Sequence, residues 1–325
     1  MQGARSTARV IALGIVCSGA AWSARAQMSS EASAHLSEIV SVLQREWLFR
    51  DRMEWMAFRQ RVFEKAGAAQ TIPETHDAIR LALTMLGDRH TWYRPPTGEL
   101  IYNPQSPTQS TGECTPAPLV TPEIPTDVGY VRIQITPQTP PAAIQEALRS
   151  GDRGERLVGW IVDLRNSRGG NMWPALVGIG SLLGDGVAGF FVDARNQATP
   201  WGYTGGSAWE GQPEKDAAFL EKPYTMARAN PRVTILTDIG VASSGEAIAI
   251  AFRGRPNTRS FGTPTCGLST AVSGFPLKSG GVIGVMTSVM ADRTRRQYGG
   301  PVEPDELVSD PTQVVPRAVA WLRRR

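Results

Sequence analysis

Histidine is scarce in this chain: His35, His76 and His90 are the only three among 325 residues. Lysine is nearly as rare, at Lys65, Lys215, Lys222 and Lys278. No Cys/His spacing of the kind that holds zinc is present, so a metal centre is not expected. No G-x-x-x-x-G-K-[ST] phosphate loop occurs either, and no cofactor is expected. Apolar runs are short. The longest near the start, VIALGIVCSGAAW over residues 10–22, is too short to span a bilayer well, so stable membrane insertion is not expected.

What precedes and follows that run reads as a secretory leader over residues 1–26. Arg5 and Arg9 form a basic start, and Ala24-Arg25-Ala26 is a small-x-small cleavage site before Gln27. A lipid anchor at Cys17 is disfavoured, because Val16 stands where a small residue belongs. The leader carries three arginines and no acid, so without it the formal charge falls from +4 to +1. The basic balance is therefore partly a property of the leader, and no nucleic-acid partner is read from it. Two cysteines remain, Cys114 and Cys266. In an exported protein an even count suggests a disulfide, with two unpaired thiols as the alternative.

Helical periodicity runs from Ser29 to about Gly87. Leu36, Ile39, Val40, Leu43 and Trp47 make one apolar face, and Trp55, Phe58, Val62 and Phe63 another. A third helix starts at Pro73, carries Ile79, Ala82, Leu83 and Leu86, and stops at Gly87. His35 and His76 fall inside these helices and read as structural. Residues 95–126 hold eight of the 24 prolines and read as a linker. Elements then alternate: strands at VGYVRIQIT, LVGWIVDLR and RVTILTD, helices at PPAAIQEALRSG, NMWPALVGIGSLLG and SGEAIAIAFRG, then a hairpin and a closing helix at TQVVPRAVAWLRRR. This order predicts an α/β (α+β) fold: a small N-terminal helical bundle (27–94), the linker (95–126), and a core (127–325) with a mixed, partly parallel sheet covered by helices.

Two strands end in unusual chemistry. DLRNSRGG (163–170) closes one with a glycine pair, and VASSGE (241–246) closes another with two serines at the mouth of a helix, where unpaired N–H groups face outward. GTPTCGLST (262–270) follows some twenty residues later, and GGPVEPD (299–305) after the hairpin. In a parallel sheet, loops at the carboxyl ends of strands gather in one crevice. Taken singly, a serine at such a junction is most often a helix cap.

These four segments, in this order, resemble the C-terminal-processing, or tail-specific, serine peptidases and the related tricorn protease core. The resemblance spans most of residues 75–310. It implies a ClpP/crotonase-like core, an acyl-enzyme mechanism, a peptide or protein substrate and no cofactor. Ser243 matches the nucleophile. The N–H of Ser244 and one from Gly169 or Gly170 match the oxyanion donors. Glu246, three residues past Ser243, is placed to cap the helix or bias the loop. The linker has no room for the PDZ insert that tail-trimming members carry.

One departure bears on mechanism. The family's usual lysine base falls at Leu268, which cannot accept a proton. Lys278, in the hairpin turn, reads as solvated. In the tricorn-like branch the base is a histidine from before the core, and LGDRHTWYRP resembles that segment, which makes His90 the expected base. The carboxylate that would orient it is unassigned among Asp292, Glu303 and Asp305. The expected function is an exported serine hydrolase, most simply a peptidase. The alternative is a catalytically silent ligand- or peptide-binding protein on the same fold, which the missing lysine favours.

Overall fold

A computed structural model describes residues 27–103, 114–136, 139–213 and 216–324. The expected secretory leader lies outside the described residues, as does the middle of the proline-rich stretch.

Three helices open the chain. In α1 (Ser30–Glu46), the Ser29 hydroxyl accepts from the Ala32 N–H, and Leu36, Ile39, Val40 and Leu43 form the buried stripe. α2 (Trp55–Ala66) and α3 (His76–Leu86) follow, and α3 stops at Gly87 in the left-handed region at φ 72°. A three-residue strand, β1 (Trp92–Arg94), and the short β2 (Ile101–Tyr102) come next. The core then runs β3 (Val128–Arg132), α4 (Pro141–Gly151), β4 (Gly159–Asp163), α5 (Met172–Leu183), β5 (Gly186–Asp193), β6 (Ala198–Thr204), β7 (Ser207–Glu210), β8 (Asp216–Phe219) and β9 (Val233–Thr237). It closes with α6 (Ser244–Ala251), β10 (Thr258–Gly262), β11 (Thr270–Pro276), β12 (Val282–Asp292), β13 (Glu306–Leu307) and α7 (Val314–Leu322).

The parallel and antiparallel pairings separate into two sheets. A five-stranded sheet, ordered β13-β10-β9-β4-β3, is parallel throughout. Its central strands β4 and β9 are buried at every position, as strands covered on both faces must be. Trp160, Val162, Val233 and Ile235 face α4, α5 and α6, while Ile161, Leu236 and Phe261 face α7. The second sheet, ordered β2-β1-β12-β5-β6-β7-β8 with β11 on the other edge of β12, is antiparallel.

The N-terminal helices share a core with this second sheet. Leu36, Leu43, Phe58 and Leu83 pack with Tyr93, Ile283, Val285 and Met286, and the Leu48 N–H donates to the Met286 carbonyl at 2.9 Å. The helical segment thus delivers its C-terminal end, including β1, to the middle of the molecule. Gly184, Gly186 and Gly189 have G-x-G-x-x-G spacing, yet they lead from a helix into a strand. That order is the reverse of the strand-to-helix turn that cradles a pyrophosphate.

Candidate active site

The carboxyl ends of β4 and β9 place DLRNSRGG and VASSGE side by side. Asp163, fully buried at the end of β4, takes two hydrogen bonds from the Arg165 guanidinium, Nη2 at 2.6 Å and Nε at 2.9 Å. The same guanidinium donates to the Val120 carbonyl and so ties the proline-rich stretch to the loop. The Ala242 N–H donates to the Ser167 carbonyl at 3.1 Å, which joins the two loops directly. Gly245 permits that approach, because a Cβ there would lie 2.2 Å from the Ser167 carbonyl oxygen.

Ser243 caps α6 with φ 52° and ψ −115°, a conformation costly for any residue with a side chain. Glu246 holds it there. Its buried carboxylate accepts from the Ser243 N–H (2.7 Å), the Thr265 hydroxyl (2.5 Å), and the N–H groups of Gly267 (2.9 Å) and Leu268 (2.8 Å). One side chain therefore fixes both the serine turn and the 265–268 loop. Burial pushes the Glu246 carboxyl up to about 7, against the four hydrogen bonds, which pull it down.

Beside this turn, Gly169 has φ 102° and Gly170 φ 147°. A Cβ on Gly169 would lie 2.7 Å from the Ala242 carbonyl, 2.9 Å from the Ser243 Cβ and 3.0 Å from the Ser244 nitrogen. The glycine is thus what lets this backbone lie against the serine. The Ser244 hydroxyl donates to the Gly170 carbonyl at 2.7 Å and locks the two turns in register. The N–H groups of Ser244, Gly169 and Gly170 have no protein acceptor among the described residues.

His90 arrives from the other side, on the turn between α3 and β1. Asp88 shapes that turn. Its carboxylate accepts from the N–H groups of His90 (2.8 Å) and Thr91 (2.7 Å), the Thr91 hydroxyl (2.8 Å) and the Trp47 indole (2.7 Å). The His90 Nε2 lies 3.0 Å from the Ser243 Oγ, and the Nδ1 lies 2.7 Å from the Thr270 Oγ1. The ring is half-buried, and loss of solvent pushes His90 down to about 4, with the nearby Asp88 charge pulling the other way. The imidazole is therefore neutral at pH 7. With Nδ1–H donating to Thr270, the Nε2 lone pair faces the serine.

Among the described residues no carboxylate hydrogen-bonds the ring, which corrects the candidates drawn from sequence. Asp292 accepts from the Thr294 and Tyr298 hydroxyls at 2.6 and 2.8 Å. Asp305 is held by Arg253 (2.5 Å) and the Ser260 hydroxyl (2.9 Å), and the Glu303 carbonyl accepts from the same arginine. Asp292 and Asp305 are engaged elsewhere, and Thr270, the last residue of GTPTCGLST and given no role there, takes the position beside Nδ1. Leu268 is buried on the cleft wall, and the Lys278 N–H meets the Glu38 carboxylate in the hairpin turn. His35 and His76 both pack against Tyr93, within the helical core.

Ser243, His90 and the Gly169–Gly170 turn line one open cleft of about 780 Å³. Its far wall belongs to the antiparallel sheet, through Phe191, Asp193 and Glu210. The β5–β8 meander is not among the elements expected from sequence. Its signals were the alternating segments FFVD, ATPWGYT and SAWE, with a Gly-Gly turn between the last two. Cys114 and Cys266 meet at the rim with a Cα–Cα separation of 5.4 Å, within the range a disulfide spans. Among the described residues no group of three or more His, Cys, Asp or Glu is placed to hold a metal ion, and no helix is long and apolar enough to cross a membrane.

Comparison with known proteins agrees with this architecture. The nisin-resistance protein of Lactococcus lactis subsp. lactis is 24% identical over 282 residues, covering 85% of this chain and 82% of the relative. A lipoprotein from Streptococcus agalactiae superposes with a TM-score of 0.67 at 20% identity, covering 91% of this chain and 97% of that one. The photosystem II D1 C-terminal processing protease gives 0.56 at 16% identity, over 87% and 94%. The model of peptidase family S41 matches residues 127–308, more than half of the sequence and both strand-end loops. This chain belongs to peptidase family S41.

Proposed function

We propose that this protein is an exported serine peptidase in which Ser243 is the nucleophile and His90 its general base. The observation that carries the reading is the 3.0 Å contact between His90 Nε2 and Ser243 Oγ, made by a neutral imidazole whose other nitrogen is engaged by Thr270. The serine proton passes to Nε2 as Oγ attacks the substrate carbonyl. The N–H of Ser244 and one from Gly169 or Gly170 receive the oxyanion, and one such donor is typically worth about 3 kcal/mol of barrier. The imidazolium then returns its proton to the leaving amine, and a water deprotonated by the same ring hydrolyses the acyl-enzyme.

Asp88 and Thr270 act as positioning residues. Asp88 fixes the backbone of the His90 turn and supplies a nearby negative charge, while Thr270 selects the Nδ1–H tautomer. A Cys114–Cys266 disulfide ties the proline-rich stretch to the rim of the cleft, and mass spectrometry of a non-reduced digest detects the linked peptides. Peptide or protein substrates follow from the family. The cell-envelope setting suggested by the leader fits a relative named for nisin resistance and a neighbour described as a lipoprotein.

A fluorophosphonate probe tests the chemistry. The wild type is expected to label at Ser243, and labelling is expected to vanish in Ser243→Ala and to fall sharply in His90→Ala. The second reading, a silent binding protein, is favoured by Leu268 standing where the family carries lysine. A well-folded wild type that takes no label would establish it.

A further inference from the structure

The antiparallel wall of the cleft carries chemistry that the proton relay does not use. Register fixes which side chains share its inner face, because residues directly opposite in paired strands point the same way. Ala271 pairs with Ser288, and Ser288 with Asp193. Met290 pairs with Phe191, and Phe191 with Thr199; two residues further along β6, Trp201 pairs with Glu210. Asp193, Phe191 and Glu210 therefore stand on one face, and all three line the cleft that holds Ser243. Trp173, at the start of α5, closes this end of the cleft, with its ring edge-on to Phe191 at 6.4 Å.

Among the described residues the two carboxylates have no cationic partner. Neither Asp193 nor Glu210 makes an ion pair among the described residues, and the Glu210 side chain has no hydrogen-bond partner there. Asp193 Oδ1 accepts from the N–H groups of Arg195 and Gln197 in its own turn, which leaves Oδ2 without a donor among the described residues. Among the described residues Arg168 is the one arginine on the cleft, and it sits next to Gly169, in the opposite wall. Two unneutralised acids flanking two aromatic rings match one kind of group: a long apolar stem ending in a positive charge.

We propose that Trp173, Phe191, Asp193 and Glu210 form a specificity pocket for a lysine or arginine side chain of the substrate. The aromatic rings take the methylene stem and the carboxylates take the ammonium or guanidinium. Strand spacing puts Asp193 about 10 Å across the sheet from Ala271, the neighbour of Thr270, so the recognised residue lies about two or three residues from the scissile bond. Glu210 is exposed at the mouth of the cleft, and loss of solvent on its cleft side raises its carboxyl above the ordinary range.

The inference rests on the reading of this cleft as a peptide site, and binding separates the two. Acetylated, amidated six-residue peptides, varied one position at a time among Lys, Arg, norleucine and Glu, are offered to Ser243→Ala protein. Lys and Arg are expected to bind at least about tenfold more tightly than norleucine at one position. Adding Glu210→Gln and Asp193→Asn should level that difference, and Glu210→Lys should turn it toward Glu, a gain that a misfolded variant cannot show. Norleucine binding as well as Lys, a Lys preference that survives the double change, or no retained peptide at all would overturn the pocket. Fluorophosphonate labelling of the wild type reads the nucleophile by itself. Cationic preference without labelling leaves the pocket standing and removes the peptidase reading; labelling without preference does the reverse.

Discussion

The two walls of the cleft are built by different means. The Ser243 wall is backbone: two strand-end turns, three glycines and two serines, pinned by the carboxylates of Asp163 and Glu246. The His90 wall is side chains brought from separate places, with His90 from the end of a helix, Thr270 from a hairpin, and Asp193 and Glu210 from a meander. Where backbone forms the site, local chain geometry and chemistry are one requirement, and a substitution damages both. Where register delivers side chains, a substitution can alter the chemistry or the preference and leave the fold standing.

The largest effect tests whether the walls meet at all. Ser243→Ala and His90→Ala should each lower kcat/KM by about 10⁴- to 10⁶-fold, with the double variant little worse than either, because the proposed nucleophile and base would act as a unit. Steady-state kinetics on a fluorogenic peptide measure this, and additive losses would separate the pair. Next comes Glu246→Ala, on the backbone wall. It strands four buried donors and should cost about 3–5 kcal/mol, lowering the melting temperature by about 10 °C and abolishing labelling at Ser243 as well. Lost labelling with an unchanged melting temperature would mean that fold and chemistry are separable there. Thr270→Val, on the side-chain wall, keeps shape and removes the hydroxyl that meets Nδ1. It should lower kcat/KM by about 10- to 100-fold with little change in melting temperature.

This contrast also explains what could be read from sequence. The Ser243 wall was legible because local rules write it: RVTILTD is a β-branched run, and small residues and glycines crowd its end. The two loops could be expected to face each other because parallel strands send their carboxyl ends to one edge. The approach of His90 to Ser243 was legible only through resemblance, since no periodicity links positions 153 residues apart. Thr270 was missed because a threonine at the start of a strand carries no signature; its role arises from the β11–β12 register. The three candidates for an orienting carboxylate lie near the hairpin, where Asp292 satisfies its own turn and Asp305 an arginine, while Glu303 meets that arginine through its backbone carbonyl. β1, three residues long, is too short to show alternation, yet its pairing with β12 anchors the turn that carries His90.

The smallest effect is a pH dependence in which the walls oppose each other. His90 is pushed from 6.5 down to about 4, so its neutral form persists well below neutrality, and the acid limb of kcat/KM should fall near pH 4 instead of near 6.5. For stability the sign follows from which state binds the proton. A histidine depressed in the folded state contributes stability present above pH 6.5 and lost as pH falls toward 4. Glu246, raised from 4.5 to about 7, does the opposite: its contribution is present below 4.5 and lost as pH rises to 7. Between about pH 4.5 and 6.5 the two slopes cancel, so the wild-type melting temperature should be nearly flat there so far as these groups set it. Replacing His90 by Asn removes one slope and leaves the other, and the variant should then lose stability steadily from pH 4.5 to 7. A melting profile of His90→Asn as flat as the wild type would mean that Glu246 stays charged throughout, and that its four hydrogen bonds outweigh its burial.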